Sequence, residues 1–349
     1  MGPHLRQQPE VKRVGISAHA LASDAWTCDS RHRESVPNPS VAASRGPRSY
    51  RRASLGLVAE STFTVPGRGD VALFVRHWPS SGAVRAVVQI SHGLGEHSGR
   101  YARLAAALGA AGFEVYAHDH RGHGRSVRNA TEFGHFGPDG WNALVADLVT
   151  VGEAIDARSG GAARVLLGHS MGSFAVQQYL LDHSAELTAA VLTGTSAVDA
   201  VFGRLDADAS LDRMPENESF EGRTDFDWLS RDPEEVDRYI ADPACGFSAD
   251  ADALADMAAA ATGPVGDALR SIRPDLPILL TSGSADPLSG AMALVELVAQ
   301  RYRNAGIRDV TVIGYEGARH EVFNETNRDE VSADLIGWLD RQTEPRRRP

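Results

Sequence analysis

The chain has 349 residues, 42% of them hydrophobic, and a formal net charge of −11. That length suits one large domain or two ordinary ones. The acidic balance excludes nucleic acid as the main partner, and no run approaches the ~18 apolar residues of a membrane span. Two cysteines, Cys28 and Cys245, lack metal-ligand spacing and fit a cytoplasmic protein without a structural disulfide.

Residues 1–55 hold nine Lys/Arg against four Asp/Glu and show no apolar period. Such a stretch buries too little surface to offset its ordering entropy, so it reads as a disordered or over-extended N-terminal arm. Val14–Ala22 is too broken for a secretory signal, and the apolar run after Arg51-Arg52 is too short for a twin-arginine one. From Ser61 the pattern becomes regular. Val71–His77 alternates like an exposed early strand, while Ala83–Ser91 is the nearly continuous apolar run of a strand buried on both faces. The rest of the first half predicts a helix at Arg100–Gly109, a strand at Phe113–His118 and a helix at Trp141–Arg158. A strand at Ala163–Gly168, a helix at Met171–His183 and a strand at Leu187–Thr193 follow. The second half gives strands at Pro277–Ser282 and Val310–Tyr315, each followed by a helix, at Ala291–Tyr302 and Asn327–Leu339. This alternation means a mostly parallel sheet with helices on both faces, built from residues 56–195 and 275–343. Residues 196–274 are too long for a connecting loop and read as an inserted cap, with a helical patch at Pro233–Tyr239. Residues 344–349 form a charged, frayed tail.

Gly168-His169-Ser170-Met171-Gly172 follows a predicted strand directly and precedes a predicted helix. That is the setting of a nucleophile elbow, whose glycines allow tight packing around a serine on a strained turn. A serine hydroxyl needs a base, and the base needs a group that fixes its tautomer. With the chain order serine, acid, histidine that goes with such an elbow, only His183 and His320 qualify as base. His183 ends the nucleophile's own helix, whereas His320 sits in a loop beyond the last strand, where such sheets carry their sites. Among the acids Asp286 is preferred, because it follows Pro277–Ser282 in a loop of small residues; Asp275 and Asp309 precede strands and belong to the opposite edge. Backbone N–H groups of Met171 and Leu94 are the candidate oxyanion donors.

His92-Gly93-Leu94-Gly95-Glu96-His97-Ser98-Gly99-Arg100-Tyr101, Asp119-His120-Arg121-Gly122-His123-Gly124-Arg125-Ser126 and the Gly168–Gly172 motif together resemble the monoacylglycerol lipase and lysophospholipase branch of the α/β-hydrolases, of serine aminopeptidase S33 type. The resemblance spans about 61–343. It implies the α/β-hydrolase fold, a triad at Ser170, Asp286 and His320, and an oxyanion amide at Leu94.

His92, His97, His118, His120, His123 and His169 cluster near strand ends but show neither H-E-x-x-H nor cysteine-rich spacing. They are expected to hold loops through hydrogen bonds, with no metal and no cofactor. Between Thr195 and Met257 there are 17 Asp/Glu and five Arg, either a solvated surface or a field that disfavours anionic substrates. Leu211, Phe220, Phe226, Trp228, Leu229 and Tyr239 either line an acyl tunnel or form the cap's own core. The expected activity is hydrolysis of monoacylglycerol or a similar neutral ester through an acyl-enzyme on Ser170. Its partners are a small acyl ester and transient lipid contact through the cap. The alternatives are a serine aminopeptidase, a lysophospholipase, or a receptor built on the same fold.

Overall fold

The computed structural model describes residues 60–203, 220 and 222–343. The expected arm at 1–55 and tail at 344–349 lie outside the described residues, as does Leu211. Within the described residues the strands are β1 (Ser61–Pro66), β2 (Ala72–Trp78), β3 (Ala86–Ser91), β4 (Phe113–His118), β5 (Arg164–His169), β6 (Ala189–Thr193), β7 (Ile278–Gly283) and β8 (Val310–Tyr315). They form one sheet in the order β1-β2-β4-β3-β5-β6-β7-β8. β2 runs antiparallel to β1 and β4, and every pairing from β4 to β8 is parallel.

The alternating strand side chains explain why both faces are covered. In β5, Leu166 joins one core while Val165 and Leu167 join the other; in β6, Ala190 and Leu192 separate from Ala189 and Val191 in the same way. Helices α1 (Ala102–Ala110) and α8 (Arg328–Thr343) cover one face through Leu104, Leu108, Leu335 and Trp338. Helices α2 (Gly140–Ser159), α3 (Met171–His183) and α7 (Ala293–Asn304) cover the other through Leu144, Val176 and Val295. The parallel crossovers turn the carboxyl ends of β3, β5, β7 and β8 toward one edge, where the loops carrying Leu94, Ser170, Asp286 and His320 emerge.

One expectation at the start of the fold needs correction. Val71–His77 does form a strand, but not an exposed one: Leu73 and Val75 are fully buried against Val151 and Ile155 of the helix at Gly140–Ser159. Phe74 on its other side is buried as well, covered by the Arg125 guanidinium 4.0 Å from its ring centre. β1 itself, too mixed in sequence to stand out as a strand, supplies the edge that covers β2.

Between β6 and β7 the chain carries α4 (Val198–Phe202), α5 (Pro233–Ala241) and α6 (Ala251–Ala260), with tight turns at Asp227–Leu229 and Gly266–Ser271. Part of this segment's acidity serves to start helices. Asp232 caps α5 by accepting from Glu234 N–H at 3.0 Å, ahead of Pro233 at the first helical position. Asp250 caps α6 by accepting from Ala253 N–H at 2.7 Å.

Candidate active site

Ser170 sits at the junction of β5 and α3 with φ 52° and ψ −123°, a conformation that costs a non-glycine residue of order 1–3 kcal/mol. The neighbouring glycines show how it is held. A Cβ on Gly168 would come within 2.5 Å of Gly172 O, and one on Gly172 would collide with the carbonyl of Ser91 on β3. Ser170 N–H continues the sheet ladder to Thr193 O at 3.0 Å, while Ser170 O already accepts from Ser173 N–H at 2.8 Å to begin α3. The serine is therefore fixed from both sides at the head of a helix. Met171 N–H is one of the first-turn amides that a helix leaves without an intrahelical acceptor.

Asp286 and His320, 34 residues apart, meet at the same edge: His320 Nδ1 lies 3.0 Å from Asp286 Oδ2. Asp286 also accepts from Ser282 Oγ at 2.7 Å and Leu288 N–H at 2.9 Å. Burial pushes its carboxyl up, but His320 and these two donors outweigh that and hold it below the usual carboxylate range. The same balance acts on His320, where burial pushes the imidazole down and the Asp286 carboxylate, aided by Glu321 and Glu96, carries it above the ordinary histidine value. With Nδ1 donating to Asp286, Nε2 is the basic nitrogen; it is buried and has no hydrogen-bond partner. The His320 ring lies 4.8 Å from the ring of His169, Ser170's neighbour, and 4.8 Å from Trp228, which shares a cavity wall with Ser170. No bond joins Ser170 Oγ to His320 Nε2, a separation common before substrate closes a site. His183 lies at the far end of α3, paired with Glu186 at 2.7 Å.

The orientation of the Leu94 amide follows from a histidine tautomer. His92 Nε2 accepts from His120 N–H at 2.9 Å, so its proton is on Nδ1, which donates to Gly93 O at 2.8 Å. In a trans peptide the N–H points opposite to the C=O. Leu94 N–H is thereby turned away from His92, on the side where Leu94 lines the cavity with Ser170 and Met171. Burial pulls the His92 imidazole down to about 4, which keeps this tautomer neutral.

The family model described as serine aminopeptidase, S33, matches residues 82–327. The chain belongs to that family. It is 34% identical over 302 residues to a monoacylglycerol lipase of Mycolicibacterium smegmatis, covering 80% of this chain and 96% of that protein. It is 31% identical to a monoglyceride lipase of Homo sapiens, over 78% of this chain and 88% of that one. Among solved structures it resembles a thermostable carboxyl esterase from Bacillus coagulans at TM-score 0.73 and 26% identity, covering 82% of this chain and 99% of that one. The fold is the α/β-hydrolase fold.

For this S33 family member the second and first motif blocks are one structural unit. Asp119 accepts from Ser98 N–H at 2.8 Å and Arg125 N–H at 2.7 Å, and Arg121 forks onto Asp147 of α2 at 2.8 and 3.1 Å. Of the clustered histidines, His120 Nε2 bonds Ser91 Oγ at 3.0 Å, and His123 Nδ1 and Nε2 face Arg121 O and Gly95 N–H. His118 is an exception, since neither ring nitrogen has a partner; burial pulls it down to about 4, so it packs as a neutral ring.

Among the described residues one cluster brings metal-ligating types together, His97, Asp242 and Cys245. His97 Nδ1 accepts from Gly99 N–H at 3.1 Å, which leaves the proton on Nε2, donated to Asp242 at 2.9 Å. A cation would need that Nε2 lone pair, and burial pushes the Cys245 thiol up, away from thiolate. The trio reads as a hydrogen-bonded strut.

The cavity at Ser170 holds about 730 Å³ of empty space including its mouth. Phe226, Trp228 and Tyr239 line it, as one of the two sequence readings had it, together with Phe174, Phe202 and Met257, which the sequence did not single out. Leu229, though buried, and Phe220, under the Arg319 guanidinium, are not among the lining residues.

Proposed function

We propose that this chain hydrolyses monoacylglycerols or closely similar neutral acyl esters through an acyl-enzyme on Ser170. The observation that carries this reading is the apolar cavity opening directly on Ser170, which suits an acyl chain. Ser170 Oγ attacks the ester carbonyl while His320 Nε2 takes its proton. The negative charge that develops on the carbonyl oxygen is met by the N–H groups of Leu94 and Met171. His320 returns the proton to the departing glycerol oxygen, then takes one from water as it attacks the acyl-enzyme carbonyl, and hands that proton to Ser170 Oγ as the fatty acid leaves. Asp286 holds the tautomer and favours the imidazolium formed in each half-reaction. The names of the relatives, a monoacylglycerol lipase and a monoglyceride lipase, support the same choice.

An aminopeptidase would need a carboxylate in the cavity to hold the substrate's ammonium. Among the described residues none of the cavity-lining side chains is acidic, which favours the ester. The described part of the segment 196–274 lines this cavity and acts as its cap, and the segment's surplus of acidic groups disfavours acidic lysophospholipids. Transient contact with lipid through the cap and a cytoplasmic location belong to the same reading. No helix among the described residues is long and apolar enough to cross a membrane. The test compares 1-monoacylglycerols, p-nitrophenyl esters, acidic lysophospholipids and an aminoacyl anilide, with wild type and Ser170→Ala. Ester turnover that disappears in the variant is expected. Turnover of the anilide alone would overturn the ester reading, and equal use of acidic and neutral lipids would overturn the electrostatic one.

A further inference from the structure

Two loops that flank Ser170, residues 92–101 and 316–326, are far apart in sequence and are joined by a single buried guanidinium. Arg100 donates through Nη2 to Glu321 Oε2 at 2.7 Å and through Nη1 to Glu321 Oε1, and the same Nη1 reaches Glu96 Oε2 at 3.0 Å. Side-chain exposure is 11% for Arg100, 4% for Glu96 and 6% for Glu321. Each carboxylate continues into the site. Glu96 Oε1 accepts from Gly93 N–H at 2.6 Å and from Tyr101 Oη at 2.8 Å, one residue from the Leu94 amide. Glu321 is the next residue after His320, and its N–H is held by Leu229 O at 2.8 Å. An unbroken path of hydrogen bonds and one peptide link therefore runs from the oxyanion loop to the base.

Stability alone is a poor reason for such a path. Two carboxylates and one guanidinium leave an uncompensated negative charge in a buried place, and burying charges costs more than a well-packed apolar contact would. Placed beside His320, the same charge has a use, because the histidine becomes positive in each transition state.

Resting on the reading of Ser170, His320 and Leu94 above, we propose that Glu96, Arg100 and Glu321 are positioning residues, which set the spacing between the Leu94 amide and His320 and lend negative charge to the imidazolium. Glu321 and Glu96 both carry the His320 imidazole upward, which agrees with that second effect.

The experiment uses the full chain with the variants Glu321→Gln and Glu321→Asp. It measures the pH profile of kcat/KM for an ester, kcat and KM separately, and the rate of labelling by a fluorophosphonate. Glu321→Gln should lower kcat roughly ten- to hundredfold, as misplacement of reacting groups by about 1 Å does. KM should stay within about twofold, and the acid limb should move to lower pH as the charge is removed. Glu321→Asp keeps the negative charge close to His320 but shortens the reach to Arg100, so kcat should fall with the acid limb near its wild-type position; it also serves if the glutamine variant fails to fold. Folded variants with wild-type kcat, acid limb and labelling rate would overturn the proposal. Failure of the wild type itself to label at Ser170 would instead overturn the reading on which it rests.

Discussion

The elbow and the base loop reach the same edge of the sheet by opposite means. Ser170 is placed mainly by its own elbow: Gly168 lets the head of α3 pack against the end of β5, Gly172 lets β3 approach, Ser173 N–H closes the first turn of α3, and Ser170 N–H bonds Thr193 O on the adjacent β6. His320 is placed by groups drawn from the whole chain. Asp286 holds its ring, Trp228 O accepts from its N–H at 3.3 Å, and Glu325 holds the loop around it. Glu325, fully buried, accepts from Arg319 N–H at 2.8 Å and from Arg231 N–H and Nε at 3.0 and 2.8 Å. A locally built turn tolerates change elsewhere in the protein. A loop built by distant contacts does not, and most of its supports come from the segment between β6 and β7.

The largest effect expected from that contrast is on the elbow side. Ser170→Ala should lower kcat by roughly 10⁴–10⁶ while leaving thermal stability near wild type, since the turn's support is backbone and glycine. A large loss of stability in this variant would show that the elbow depends on its hydroxyl. Next, Asp286→Asn should cost about 10⁴ in kcat with KM little changed, because the amide favours the wrong tautomer of His320. On the base-loop side, Glu325→Gln should lower kcat about tenfold and stability by about 1–3 kcal/mol together, through donors left poorly matched in a buried place. Retained kcat in a destabilised variant would mean that the loop is held by its other contacts.

The pH profile probes the base directly. In the proposed mechanism His320 must be neutral to take the proton of Ser170, and its imidazole lies above the ordinary histidine value. Activity should therefore fall on the acid side with a midpoint above about 6.5, and tenfold per pH unit below it. A midpoint under 6.5 would indicate that burial outweighs Asp286. The smallest effect compares two inactive proteins. Ser170→Gly should be more stable than Ser170→Ala by about 1 kcal/mol, as relief of the strained φ exceeds glycine's extra freedom in the unfolded chain. Equal stabilities would show that the elbow stores no strain.

The alternation of strands and helices and the strand–turn–helix setting of Ser170 are legible in the amino-acid order alone, and so is the expectation that His320 and Asp286 come together, which they do at 3.0 Å. Each of these rests on short-range signals: apolar runs for doubly buried strands, glycines at fixed offsets, and loops at the carboxyl ends of strands. The sequence missed the burial of β2, because the residues that cover Leu73 and Val75, Val151 and Ile155 of α2, lie more than seventy positions away and nothing in the β2 sequence points to them. It also left open which residues of the 196–274 segment face the substrate. Phe226 and Trp228 line the cavity and Leu229 does not, a difference within one tight turn at Asp227–Leu229 that the His320 loop catches through Trp228 O and Leu229 O. Only the tertiary structure decided the bridge through Arg100 and the anchoring by Glu325. Charged residues in a sequence carry no mark of their partner, and the partners here stand 221 and 94 positions away.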